Sequence, residues 1–171
     1  MKKALCLAAI IFLQACTSIP DGIKPVDNFE LDRYLGTWYE IARLDHKFER
    51  GLDHVTAHYE MREDGGVSVT NRGYNTEENE WEQADGKAYF VGDPQTGHLK
   101  VSFFGPFYAS YVIFDLDSEG YQYALVTGPN RDYFWILSRQ KQLPQAILNA
   151  LLAKAKTNGF ATEELIYVSH P

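Results

Sequence analysis

The chain has 171 residues, 45% apolar, 23% charged and 14% aromatic, with a formal net charge of −7. That length suits one domain and that composition a globular chain, while the acidic balance without a Lys/Arg cluster argues against a nucleic-acid partner, because phosphate binding needs a positive footprint. No apolar run reaches the roughly 18–20 residues that span a bilayer as a helix, and the many Tyr and Phe side chains lean toward β structure.

Met1-Lys2-Lys3 followed by the apolar stretch Ala4 to Leu13 has the order of a secretory signal, a positive segment and then a hydrophobic one too short to cross a membrane. Leu13-Gln14-Ala15-Cys16 then resembles the lipobox of bacterial lipoprotein precursors. The resemblance implies cleavage after Ala15 and acylation of Cys16, hence a membrane partner held through lipid chains. A single acyl chain anchors only marginally, whereas two or three, at about 0.8 kcal/mol per buried CH₂, hold firmly. Thr17 stands where an Asp would imply inner-membrane retention, so the same resemblance implies the outer membrane and its periplasmic face. Cleavage leaves one cysteine, which the lipid occupies, so no disulfide is expected and the core rests on apolar burial. The division expected is a signal peptide over 1–15, a tether over 16–28 carrying Pro20, Gly22 and Pro25, and one domain over 29–171.

Beyond the tether, turn signals recur between short β-favouring runs. Thr37 to Leu44 is the first. Val55 to Met61 alternates cleanly and ends at Asp64-Gly65-Gly66, a hairpin signal, after which Val67 to Thr70 resumes the alternation. Trp81 to Val91 is interrupted by Gly86, where a strand could bulge. Leu99 to Phe104, Tyr108 to Asp115, Tyr121 to Thr127 and Tyr133 to Ser138 complete eight strands. Leu143 to Asn158 switches to helical spacing, with Ile147, Leu148, Leu151, Leu152 and Ala155 on one stripe, Pro144 at the start and Gly159 at the end. Leu165 to Val168 is a short ninth strand. Eight consecutive antiparallel strands and a helix describe a closed up-and-down barrel or, on strand count alone, a sandwich.

Gly36-Thr37-Trp38, behind Leu31 to Leu35, resembles the G-x-W signature of lipocalins. Gly128-Pro129-Asn130-Arg131-Asp132-Tyr133 and Trp135-Ile136-Leu137-Ser138-Arg139 are similar to the family's second and third motifs, in order and at the right strands. Lys100 to Tyr108 and Arg43 to Gly51 look like its bacterial outer-membrane branch, near apolipoprotein D. The resemblance implies an all-β, eight-stranded antiparallel up-and-down lipocalin barrel with a C-terminal helix on its flank. It also implies that Gly36 turns the chain under the barrel, and that Trp38 plugs the closed end beneath an Arg139 lid. A lipid ligand, fatty acid or lysophospholipid, is implied for storage, transport or membrane maintenance.

Alternation along the strands then sets the lumen. Glu40 and Ala42 follow Trp38 by period two. Val55, Ala57, Tyr59 and Met61 share a face, as do Val67, Val69 and Asn71, and Leu99, Val101 and Phe103. On the sixth strand the resemblance favours Tyr108, Ser110, Val112 and Phe114, although Tyr111 and Ile113 fit the opposite parity. On the eighth, Trp135 and Leu137 are expected inside. Glu40, a carboxylate in an apolar lumen, must find a partner or take up a proton: it is either a polar latch that binds a ligand head or orders water, or a buried acid satisfied by a neighbouring Tyr or Asn.

No catalytic residues, cofactor or metal site are expected. His54 and His58 lie about 13 Å apart along a strand, too far to share one ion, and neither a G-x-S-x-G nor a phosphate-cradling loop is present. Two other readings stay open: an enzyme using Glu40 with a luminal tyrosine, or a structural lipoprotein whose barrel is filled by its own side chains. A homodimer meeting at the open rim is compatible with the sequence and not specified by it.

Overall fold

A computed structural model describes residues 17–171. The signal peptide and the lipidation site at Cys16 lie outside the described residues. A single helical turn, α1 (Leu31–Tyr34), precedes eight strands: β1 (Gly36–Arg43), β2 (Leu52–Met61), β3 (Val67–Asn75), β4 (Glu80–Phe90), β5 (His98–Ser102), β6 (Ala109–Leu116), β7 (Tyr123–Thr127) and β8 (Phe134–Ser138). Helix α2 (Gln145–Thr157), a 3₁₀ turn over Thr162–Glu164 and β9 (Ile166–Tyr167) follow. Each strand pairs antiparallel with the next, β8 pairs back to β1, and β1 pairs with β2, so the sheet closes on itself. That settles the barrel against the sandwich. The β1–β2 pairing covers only Gly36 to Tyr39; farther along, Ala42 and Arg43 pair with β9 instead.

The barrel wall separates two apolar cores. Inside, Trp38, Tyr59, Val69, Leu99, Ile113, Val126 and Leu137 belong to one buried cluster. Outside, Ile41, Ala42, Val112, Phe114, Leu125, Phe134 and Ile136 meet Leu151 and Ala155 of α2. The helical stripe therefore lies on β6, β7, β8 and β1, with Phe160 just beyond the helix packed on Phe134 and Phe114 at centroid distances of 4.6 and 5.3 Å. Three strands shift register at bulges, between Glu40 and Ala42, between Asp53 and Thr56, and between Ile113 and Asp115.

Three expectations change here. Residues 17–28 are not a free tether as far as they are described. Pro20 and Ile23 are buried, and Val26 bonds through its N–H to the Ile113 carbonyl (2.9 Å) and through its carbonyl to the Gly97 N–H (2.9 Å). Gly86 does not bulge. Its pairing with Val69 is continuous, and a Cβ there would lie 2.8 Å from both the Phe103 ring and the Ser102 carbonyl, so glycine is needed for close approach. The first strand starts at Gly36, whose φ of +90° suits glycine alone and turns the chain under the barrel.

Candidate functional site

The closed end is tightly built. Trp38 is fully buried, donates its indole N–H to the Tyr34 carbonyl (2.8 Å) and stacks near the Tyr34 ring at 4.6 Å. The Arg139 guanidinium lies 4.0 Å above the Trp38 ring and donates to four main-chain carbonyls, those of Thr37 (2.8 Å), Arg33 (2.9 Å), Leu35 (2.8 Å) and, through Nε, Tyr121 (3.4 Å). One side chain thus satisfies the carbonyl groups of the turn and caps the indole, a cation–π contact worth about 0.5–2 kcal/mol. Gly36, Trp38 and Arg139 come together at this end, the place where the motifs imply a structural role.

Above the plug the lumen is hollow. A narrow inner cavity of about 100 Å³ is walled by Val55, Ala57, Tyr59, Val69, Leu99 and Val101, among others. It opens through Asn71, Phe103, Tyr111 and Trp135 into a mouth chamber of about 590 Å³, within the size range of small-molecule sites. The loops around the mouth carry Phe48, Phe104 and Phe107, which are 59%, 72% and 66% exposed, an unusual set for side chains that ordinarily seek the interior.

Most expected lumen residues are where alternation puts them. Glu40, Ala57, Tyr59, Val69, Asn71, Val101, Phe103 and Trp135 line the inner cavity, and Tyr108 lines the mouth chamber. Ala42, Val112 and Phe114 do not: all three face outward beneath α2. The bulge after Glu40 reverses parity, so Ala42 leaves the lumen and Arg43 enters it. On β6 the inward set is Tyr111 and Ile113. Met61, at the end of β2, is 49% exposed and lines neither cavity.

Arg43 is the partner that Glu40 needs. Its Nη1 donates to Glu40 Oε1 at 2.8 Å, and its Nη2 donates to the main-chain carbonyls of Glu49 (2.8 Å) and Leu52 (2.9 Å). Both side chains are almost fully buried. Glu49 joins them from the β1–β2 loop, accepting from the Trp135 indole N–H at 3.0 Å, with His46 Nε2 3.0 Å away but off the hydrogen-bond line. Burial, and then the neighbouring Glu49 charge, push the Glu40 carboxyl well above the usual range against the pull of Arg43. Burial also acts upward on Glu49, but His46, Trp135 and Arg43 outweigh it and hold that carboxyl low. The result is a buried charged band where the inner cavity meets the mouth.

Among the described residues no group of three or more His, Cys, Asp or Glu is placed to hold a metal ion. His54 donates from Nδ1 to the Ser169 carbonyl (2.7 Å), and His58 Nδ1 meets Thr37 Oγ1 (2.8 Å) on the outer surface.

A closed eight-stranded cup with a plugged base, an apolar interior and an open mouth defines a small-molecule-binding barrel. Residues 29–170 match the model of the lipocalin-like domain, and the chain belongs to that family. It is 54% identical over 168 residues to the outer membrane lipoprotein Blc of Vibrio cholerae serotype O1, covering 98% of both chains. It is 52% identical to the protein of the same name from Escherichia coli K12, covering 95% of this chain and 93% of the relative. Apolipoprotein D of Macaca fascicularis is 32% identical, over 81% of this chain and 74% of its own. Among solved structures, insecticyanin of the tobacco hornworm superimposes with a TM-score of 0.72 at 20% identity, covering 90% and 87% of the two chains, which bears on the fold alone.

Proposed function

We propose that this protein is an outer-membrane lipoprotein, facing the periplasm and anchored through acylated Cys16, whose barrel binds fatty acids or lysophospholipids for lipid storage, transport or membrane maintenance. The observation that carries the reading is the two-part lumen: an apolar inner cavity suited to an acyl chain beneath a wider chamber with a charged band at their junction. The tail gains from apolar burial, and the head group meets polar atoms that lack partners, Asn71 Oδ1 and His46 Nδ1. The names of the relatives, outer membrane lipoprotein, support the address. Anchoring beside the ligand source raises effective concentration, so micromolar affinity suffices.

In this reading the protein is a binder rather than an enzyme, and Glu40, one of two acids lining the inner cavity, serves as the ion partner of Arg43. It also admits a homodimer, for which Phe48, Phe104 and Phe107 offer an apolar rim; sedimentation at micromolar concentration distinguishes one copy from two. Native mass spectrometry of the Cys16→Ser chain titrated with palmitate or lysophospholipid tests the ligand class. A one-to-one complex at micromolar concentration is expected, and none with either lipid would overturn it. Mass analysis of the N-terminal peptide of the wild-type chain tests the anchor, the expected result being an acylated Cys16.

A further inference from the structure

The floor of the inner cavity carries a polar group that neither the packing nor the acyl-chain reading uses. Tyr34 of α1, Tyr59 of β2 and Tyr111 of β6 converge there from three separate elements, and all three line the cavity. The Tyr111 hydroxyl lies 2.8 Å from that of Tyr34 and 2.8 Å from that of Tyr59. Burial raises the pKa of all three phenols above the ordinary tyrosine value, so each keeps its proton.

Each phenol has one O–H to donate. Three donors share two hydrogen bonds, so one O–H is left over whichever way the chain of hydroxyls runs. It makes no further hydrogen bond within the protein. The Tyr34 carbonyl is engaged by the Trp38 indole, Arg139 has only donors, and the Glu40 carboxylate is turned to Arg43. The nearest walls, such as Phe29 and Leu137, are apolar. A methyl terminus arriving at this floor leaves the donor unmet, and displaces any water that had met it.

We infer that the base of the barrel is a second polar subsite, one that selects lipids whose buried end carries an oxygen. An ω-hydroxy acyl chain fits: its terminal oxygen accepts the spare tyrosine O–H, and its own proton goes to a tyrosine oxygen. This rests on the lipid-binding reading above and specifies which acyl chains the site prefers. Tyr34, Tyr59 and Tyr111 are then specificity residues of the inner cavity.

Displacement of a fluorescent fatty acid from the Cys16→Ser chain, comparing palmitate with ω-hydroxypalmitate, tests it. The hydroxy acid is expected to bind about tenfold more tightly, the size of one hydrogen bond gained against one left unmade. Equal or weaker binding of the hydroxy acid overturns the inference, and this comparison decides it even if no variant folds. In a Tyr34→Phe/Tyr59→Phe/Tyr111→Phe variant the preference is expected to reverse. If neither acid binds, the lipid reading itself has failed. The floor is then read separately by heating the protein with hexanol or with hexane: greater stabilisation by hexanol supports the subsite, and equal stabilisation removes it.

Discussion

The two ends of the barrel use the same chemistry for opposite purposes. At the base, Arg139 spends its guanidinium on four main-chain carbonyls and the Trp38 ring, leaving no room for anything else. Toward the mouth, Arg43 is more deeply buried than the half-buried Arg139 and also holds two carbonyls, but its neighbours are the carboxylates of Glu40 and Glu49, which line a cavity. An arginine closed over an indole makes a plug. An arginine paired with a carboxylate beside empty space keeps a wall rigid where it must stay open. The contrast teaches that rigidity at a binding site comes from polar bonds when packing cannot supply it.

Removing the plug is expected to have the largest effect. Trp38→Ala should destabilise the protein by about 3–5 kcal/mol, as for other buried aromatics, read from urea unfolding. A change under about 1 kcal/mol would break the distinction between the ends. Arg43→Met should cost about 3–5 kcal/mol at neutral pH, since it strands a buried carboxylate. The sign of its pH dependence sharpens the comparison. Glu40 already has a raised folded pKa, which the substitution raises further. A carboxyl whose folded pKa lies above its unfolded value is most favourable to folding below that unfolded value and loses this as pH rises. The deficit of Arg43→Met should therefore shrink on acidification, whereas that of Trp38→Ala should not.

Between the ends, Ala57→Phe projects into vacant lumen, so its stability should stay within about 1 kcal/mol of the parent. Its affinity for palmitate should fall about tenfold or more, which is about 1.4 kcal/mol; unchanged affinity would place the tail elsewhere. The smallest effects belong outside the lumen. Phe104→Ser at the rim should change stability by no more than about 0.5 kcal/mol. His98, buried with Nε2 3.1 Å from Ser110 Oγ, has its pKa lowered by burial. The folded state therefore holds fewer protons than the unfolded chain just below the ordinary histidine pKa of 6.5, and stability falls as pH drops through that window. His98→Gln should flatten that part of the curve of melting temperature against pH.

The strand order and the closed end were legible in the sequence because local signals carry them: turn residues between runs, and three motifs in fixed order. Lumen parity was legible on β2, β3 and β5, where mostly apolar lumen residues alternate in sequence with polar ones that face away from it. It failed on β6 for a physical reason. That strand has the lumen on one side and α2 on the other, so both of its faces are apolar and a period of two cannot say which is which. The charged band was half legible. Glu40 stood out, but a regular strand would send Arg43 to the opposite face, and only the bulge between Glu40 and Ala42 turns it inward. His46 and Glu49 reach the band from a loop, beyond what any periodicity can register.

The single-layered wall with an oily mass on each side has a bearing on how such a cup can change its cargo. Residues beneath α2 hold the helix, and their neighbours one step along the same strand contour the chamber. Substitutions that widen, shorten or polarise the interior thus draw on a different reserve from the one that keeps the outer layer fastened. Evolution, or an engineer, can rebore the vessel while its outer strapping goes on holding it together.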